Sequence, residues 1–169
     1  PIMKKSNGII IPTGSTEQHG PLGLIGTDSI CAQKIANEAG DRLGVYVAPT
    51  LNYTPAPFNM SFPGTISISV PSFKKLVEEI ILSIIHHGFR TLYFINGHGA
   101  NIAPLKEVAA EFDNVKIRIR SWWEFTAVDK LRNDNFGDWE GMHATPSEIS
   151  ITQTMYRLVT NKEELKPPE

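Results

Sequence analysis

Two short apolar runs, Gly8 to Pro12 and Thr91 to Ile95, each break off into a glycine-rich polar turn, and this pairing most narrows the folds open to the chain. Brief β-branched and apolar runs bounded by turn residues read as strands buried on both faces, the form strands take inside a parallel sheet. Segments of helical period lie between and after them. Thr27 or Asp28 opens one that runs through Ile30, Ala32, Ile35, Ala36 and Ala39 and stops near Gly40. Pro71 to His87 is the clearest helix, starting on Pro71 and Ser72, with Phe73, Leu76, Val77, Ile80, Ile81 and Ile84 on one stripe and Gly88 beyond its end. Ile102 to Phe112, Glu124 to Leu131 and Ser147 to Val159 read as further helices, Val45 to Ala48 and Val115 to Ile119 as further strands, and Thr65 to Val70 as an edge strand or an arm. Strands alternating with helices predict an α/β fold, a three-layer α/β/α sandwich around a mostly parallel central sheet. No repeat, low-complexity tract or linker divides residues 1–169, so a single domain is expected.

Composition removes several classes of function. Hydrophobic residues make up 41% and charged residues 20% of the chain, values that exclude disordered and fibrous proteins. A net charge of -2 gives no electrostatic reason to bind nucleic acid or an anionic membrane. The longest apolar stretch, Ile80 to Ile85, is too short to span a bilayer, and the opening Pro1-Ile2-Met3-Lys4-Lys5 does not lead into a signal-peptide pattern. Cys31 is the one cysteine, so no internal disulfide forms, and a reducing, cytoplasmic setting is expected.

In parallel α/β sheets ligands bind beyond the carboxyl ends of the strands, and two polar clusters fall there. The first runs from Gly14 to Asp28 and contains Glu17, His19 and Asp28. Glu17 and His19 are two residues apart, so in an extended segment both point to one face. Two carboxylates and an imidazole suit zinc, manganese or iron. On spacing alone they read more readily as loop polar groups, with Asp28 capping a helix. The second cluster is Asn96-Gly97-His98-Gly99-Ala100-Asn101, where His98 is either an accessible ligand or the cap of the next helix. A third, Gly141 to Glu148, holds His143 and, in the first turn of a helix, Glu148. There a carboxylate is favourable with or without a metal.

The remaining candidates read as structural. His86 and His87 suit a helix C-terminus, Cys31 sits among apolar residues, and Trp122, Trp123 and Trp139 read as core or rim packing, one of them able to wall a pocket. Ser15 is not set in a G-x-S-x-G elbow, and neither nucleotide-binding glycine fingerprint is present. The proline-rich loop from Pro49 to Gly64 is long enough to be functional or a partner surface.

Taken in order, GSTEQHGP at residues 14–21, GTD at 26–28, FPGTIS at 62–67, HGFRTLYFINGHGAN at 87–101, SWW at 121–123 and the His143 to Ser150 segment resemble the creatininase family over nearly the whole chain. The resemblance implies two divalent ions per chain (Zn, Mn or Fe). Asp28 would bridge them, Glu17 and His98 would complete one position, and His19 would serve the other. Creatinine-cleaving members carry a further carboxylate ligand where this chain has Ala100, and Glu148 is expected to take its place. His143 matches the family's proton-transfer histidine, and a closed homo-oligomer, a hexamer by resemblance, is implied as well. The chain departs from relatives at Leu22 to Ile25, at Asn59, and in being shorter.

The expected reaction is hydrolysis of a non-peptide C–N bond in a small cyclic amide, formamide or related polar molecule other than creatinine, by a metal-activated water. Gly99, Asn101 and Trp123 are expected beside the substrate or its oxyanion. The competing readings are a two-metal phosphoesterase, disfavoured because the expected rim holds almost no Lys or Arg, and a non-catalytic metal-binding or assembly protein that keeps the fold.

Overall fold

The computed structural model describes residues 6–156. Four strands, β1 (Gly8–Thr13), β2 (Tyr46–Val47), β3 (Thr91–Asn96) and β4 (Lys116–Ser121), form one sheet in the order β2-β1-β3-β4. Every pairing in it is parallel. The helices are α1 (Thr27–Leu43), α2 (Val70–His86), α3 (Ile102–Ala109), α4 (Thr126–Phe136) and α5 (Pro146–Gln153).

The register sets Ile9 beside Leu92, Ile10 beside Tyr93 and Ile11 beside Phe94, so alternate residues of the apolar runs serve opposite layers. Ile11, Leu92 and Phe94 pack with Phe73, Val77 and Ile81 of α2 and with Leu105 and Val108 of α3. Ile10 and Ile95 pack on the other face with Cys31, Ala32 and Ala36 of α1 and with Trp122. Each large side chain buried this way contributes about 1.5–3 kcal/mol, which is why short strands with no polar face specify the middle layer. The architecture is the expected α/β/α sandwich. No helix among the described residues is long and apolar enough to cross a membrane.

Several boundaries differ from expectation for visible reasons. Ser69 rather than Pro71 starts α2, because its hydroxyl accepts the Ser72 N–H at 3.2 Å. The first helix runs past Gly40, which is buried against β2, to Leu43. The third ends at Ala109, after which Glu111 and Phe112 make tighter bonds to Val108 and Ala109. The fourth is both later and longer than 124–131. The last is described from Pro146 to Gln153, and residues 157–159 of the expected helix lie outside the described residues.

Residues 65–70 do not form an edge strand. Ile66 bridges Thr16 and Ser67 bridges Thr54, so this segment ties two loops together instead of joining the sheet. The sheet edges are β2 and β4.

Candidate metal centre

Thr13, Asn96 and Ser121 lie in register at the carboxyl ends of β1, β3 and β4, and the chain turns sharply after each. The two turns nearest the middle press on the first turn of α1. A Cβ at Gly14 would meet the Ser29 nitrogen at 2.3 Å and the Asp28 carbonyl carbon at 2.5 Å, and a Cβ at Gly97 would meet the Asp28 oxygen at 2.2 Å. Only glycine permits this approach, and it sets the backbone of Asp28 between the ends of two neighbouring strands. Asn96 stiffens the same corner, donating to the His98 carbonyl at 2.7 Å and to Ser121 Oγ at 3.2 Å.

Asp28 does not cap the helix it begins. Gly26 holds the cap position without a side-chain bond, so the carboxylate is free to face outward from the strand ends. Its Oδ1 lies 2.8 Å from His19 Nε2, and its Oδ2 lies 2.9 Å from His98 Nδ1 and accepts the Ser15 hydroxyl at 2.7 Å. One oxygen thus serves each imidazole. The far nitrogens are held by backbone carbonyls, which only accept: His19 Nδ1 donates to the Glu17 oxygen at 3.1 Å and His98 Nε2 to the Pro55 oxygen at 2.9 Å. This second layer of bonds orients both rings with one nitrogen toward Asp28.

Glu17 completes the first side, with Oε1 3.0 Å from His98 Nδ1 and Oε2 accepting Asn59 Nδ2 at 2.6 Å. Glu148 lies on the second side. Its Oε2 accepts the Thr145 N–H at 2.7 Å in a reciprocal cap of α5, so capping and facing the centre coexist. Two triads result, Glu17–Asp28–His98 and His19–Asp28–Glu148, each with ligand atoms within 4.8 Å of one another and both sharing Asp28. A third group, Glu17–His19–His143, meets the same limit. The donor set, three carboxylates and two oriented imidazoles, fits divalent ions of the zinc, manganese and iron type.

Charge inside the cluster explains its titration. Burial works against a charged His98, but the bonds to Asp28 and Glu17 outweigh it and push its pKa up to about 10. Burial likewise opposes a charged His19, and Asp28 again raises it. Burial favours neutral Asp28, yet the two imidazoles hold its carboxyl well below the usual carboxylate range. Glu148 is raised, chiefly by burial. In metal-free protein, protons therefore balance these carboxylates.

A pH dependence follows. A raised folded pKa stabilises below the ordinary value and loses that contribution as pH climbs to the folded one, so His98 contributes fully below about 6.5 and loses it toward about 10. His19 and Glu148 act in the same direction. Asp28, depressed, contributes above its ordinary 3.8 and loses this on acidification. Chelator-treated protein is accordingly expected to melt at steadily lower temperature from pH 6.5 to 10. A melting temperature that climbs across that range contradicts the assignment.

Beside the cluster lies a cavity of about 300 Å³, walled by Glu17, Asp28, His98, Gly99, Trp123, Arg132, His143 and Glu148 among others. Gly99 and Trp123 line this cavity. Asn101 does not. It is fully buried, and its Nδ2 donates to the Gly14 oxygen at 2.9 Å and to Asn96 Oδ1 at 3.3 Å, so both amide hydrogens are used and none is left for a substrate oxygen. Trp139 is 86% exposed, neither core nor cavity wall. Cys31 packs under α5, its thiol donating to the Glu148 carbonyl at 3.6 Å and its pKa pushed up by burial. Ser15 and Arg132 are not legible as site residues in the sequence, whereas Asn59 stands out there only as a departure from relatives. Ser15 lacks any elbow motif, and Arg132 sits on a helix that buries no residue.

A parallel sheet flanked by helices, with a shared-aspartate cluster of carboxylates and imidazoles beyond its strand ends, defines an α/β protein with a metal-capable centre. More particularly, the chain belongs to the creatininase family, whose model, described as creatinine amidohydrolase, matches residues 2–169. Creatinine amidohydrolase of Pseudomonas putida is 26% identical over 166 residues, covering 88% of this chain and 64% of its own. The 3-dehydro-scyllo-inosose hydrolase of Thermotoga maritima is 29% identical over 148 residues, covering 85% and 47%. Mycofactocin precursor peptide peptidase of Mycobacterium tuberculosis is 36% identical over 110 residues, covering 59% and 43%. The chain thus spans less than two thirds of the length of each of these curated relatives, and all three are hydrolases by name.

Solved creatininases share the fold. A variant with phenylalanine in place of a tryptophan superposes with a TM-score of 0.77 at 24% identity, over 98% of this chain and 74% of its own. A glutamate-to-glutamine variant of Zn-Zn type gives 0.67 at 25%, over 88% and 64%.

Proposed function

We propose that this chain is a metal-dependent amidohydrolase that cleaves a C–N bond in a small polar amide other than creatinine, using two divalent ions of zinc, manganese or iron. The observation that carries the reading is the division of Asp28, with Oδ1 toward His19 and Oδ2 toward His98. Glu17 and His98 would hold one ion with Asp28, and His19 and Glu148 the other. Bound there, the ions supply Lewis acidity and a water ionisable near neutral pH.

The rest is done by the chain. His143 forms part of the cavity wall, with Nε2 donating to the Gln18 carbonyl at 2.8 Å and Nδ1 3.9 Å from Glu17 Oε1. Because the carbonyl can only accept, the hydrogen sits on Nε2 and the Nδ1 lone pair is open to take a proton and pass it to a leaving nitrogen. The Gln18 amide nitrogen, 3.2 Å from the same Nε2, is a contact rather than a second donor bond on this assignment. Trp123 and Met142 line the cavity, and Gly99 leaves room against its wall. Ala100 in place of a carboxylate, and the altered Leu22 to Ile25 segment, support a substrate other than creatinine.

Elemental analysis of protein purified without chelator or nickel tests this. Between one and two equivalents of zinc, manganese or iron per chain are expected, with loss of metal in Glu17→Ala and His98→Ala. Protein that carries none and takes up no added zinc or manganese sinks the proposal.

A further inference from the structure

We infer that Arg132 receives a carboxylate on the substrate, so that the amides admitted here are monoanions. The inference rests on the hydrolase reading for the reaction and on the cavity for recognition. Arg132 stands on α4 and lines the same cavity as Glu17, Asp28, His98 and His143. Its Nε donates to Glu140 Oε1 at 2.7 Å, and its guanidinium lies 5.7 Å from the centre of the Trp122 ring. Glu140 is itself fixed, accepting from the Ser147 hydroxyl and, at 3.3 Å, from the Ser147 N–H. Its side chain is 8% exposed and that of Arg132 17%.

Tethered at Nε and laid over a ring, the guanidinium is held in orientation, yet among the described residues no acceptor meets its two Nη groups. Paired Nη–H donors on a cavity wall form the planar fork that matches a carboxylate. Arg132 is also the one Lys or Arg among the residues lining the cavity. A phosphate dianion would find a single fork opposite Glu17, Asp28 and Glu148, whereas a monoanion is matched by it. Creatinine, which has no carboxylate, would leave the fork without a partner.

The test compares N-acetylglycine with N-acetylglycinamide, which differ at the carboxylate, by calorimetric titration of zinc-loaded protein. The acid is expected to bind more tightly, and Arg132→Gln is expected to shrink that preference about 10- to 100-fold with zinc content unchanged. Arg132→Lys keeps a charge beside Glu140 but loses the planar fork, and it is expected to fold, hold zinc and show an intermediate preference. A purely structural role for Arg132 would alter melting temperature without altering this ratio. A preference equal to wild type in both variants means that zinc alone holds the carboxylate and overturns the inference, as does no preference in the wild type. If the protein takes up no zinc, the hydrolase reading fails by that result. An Arg132-dependent preference measured on metal-free protein would still support the anion site.

Discussion

Asp28→Asn is expected to abolish metal uptake at both proposed positions together, and with it the proposed hydrolysis. The side chain keeps its size but loses its charge and one of its two acceptor oxygens, and each of those oxygens faces a different imidazole. Changes confined to residues that merely orient ligands already cost about 10- to 100-fold in metal affinity, so loss of a shared ligand should exceed that at both positions. Metal-free protein should suffer too, because His98 and His19 lose the carboxylate that stabilises their charged forms. Breaking a buried pair of this kind costs about 3–5 kcal/mol. Metal content by elemental analysis and melting temperature near pH 6 are the two readouts. One ion retained at wild-type affinity would show that Asp28 serves a single position, and the shared-aspartate reading would fail.

His143→Ala separates the other role. Metal content is expected to stay at the wild-type level while turnover on a panel of N-formyl and cyclic amides falls about 10²- to 10⁴-fold, the usual worth of a positioned acid–base group. The ring lies over His19 with centroids 4.3 Å apart, and its side chain is more exposed than any other in the cluster. A histidine at the mouth, held by a loop carbonyl, suits proton exchange with solvent better than it suits a closed ligand position. The geometry offers its own counter-hypothesis, since Glu17, His19 and His143 also lie close enough to share an ion. Metal lost in step with activity would place His143 among the ligands.

The sheet and its two flanking layers were readable because β1 and β3 are apolar on both faces, a pattern that few environments other than a covered parallel sheet accept. The segment 65–70 misled because its alternation is real but its backbone bonds go to Thr16 and Thr54, residues that lie in loops. Nothing local announces such a partner. Within the candidate centre, Glu17, His19, Asp28 and His98 stand out in the sequence as polar residues beside glycine-rich turns, but that pattern leaves a loop or capping role open, and the family resemblance is what points to a ligand set. Asn101 looked like one of them, but its amide turned inward to tie Gly14 to Asn96, a role decided by a contact 87 residues away in sequence. Arg132 could not have been found, for α4 buries no residue and its charge pattern is that of an ordinary solvated helix. Its bond to Glu140 and its place over Trp122 hold it at the cavity.

The pressure of Gly14 and Gly97 on Asp28 ties the centre to the order in which the chain can fold. Gly14 follows β1 and Gly97 follows β3, so Asp28 takes its place only after strands some eighty residues apart in sequence have paired. Glu17 and His19 alone offer a nascent chain two ligands and no bridge. On the proposed two-ion reading, a cation would therefore meet its full ligand set only once the central strands have paired, and uptake would mark that the sheet is already formed.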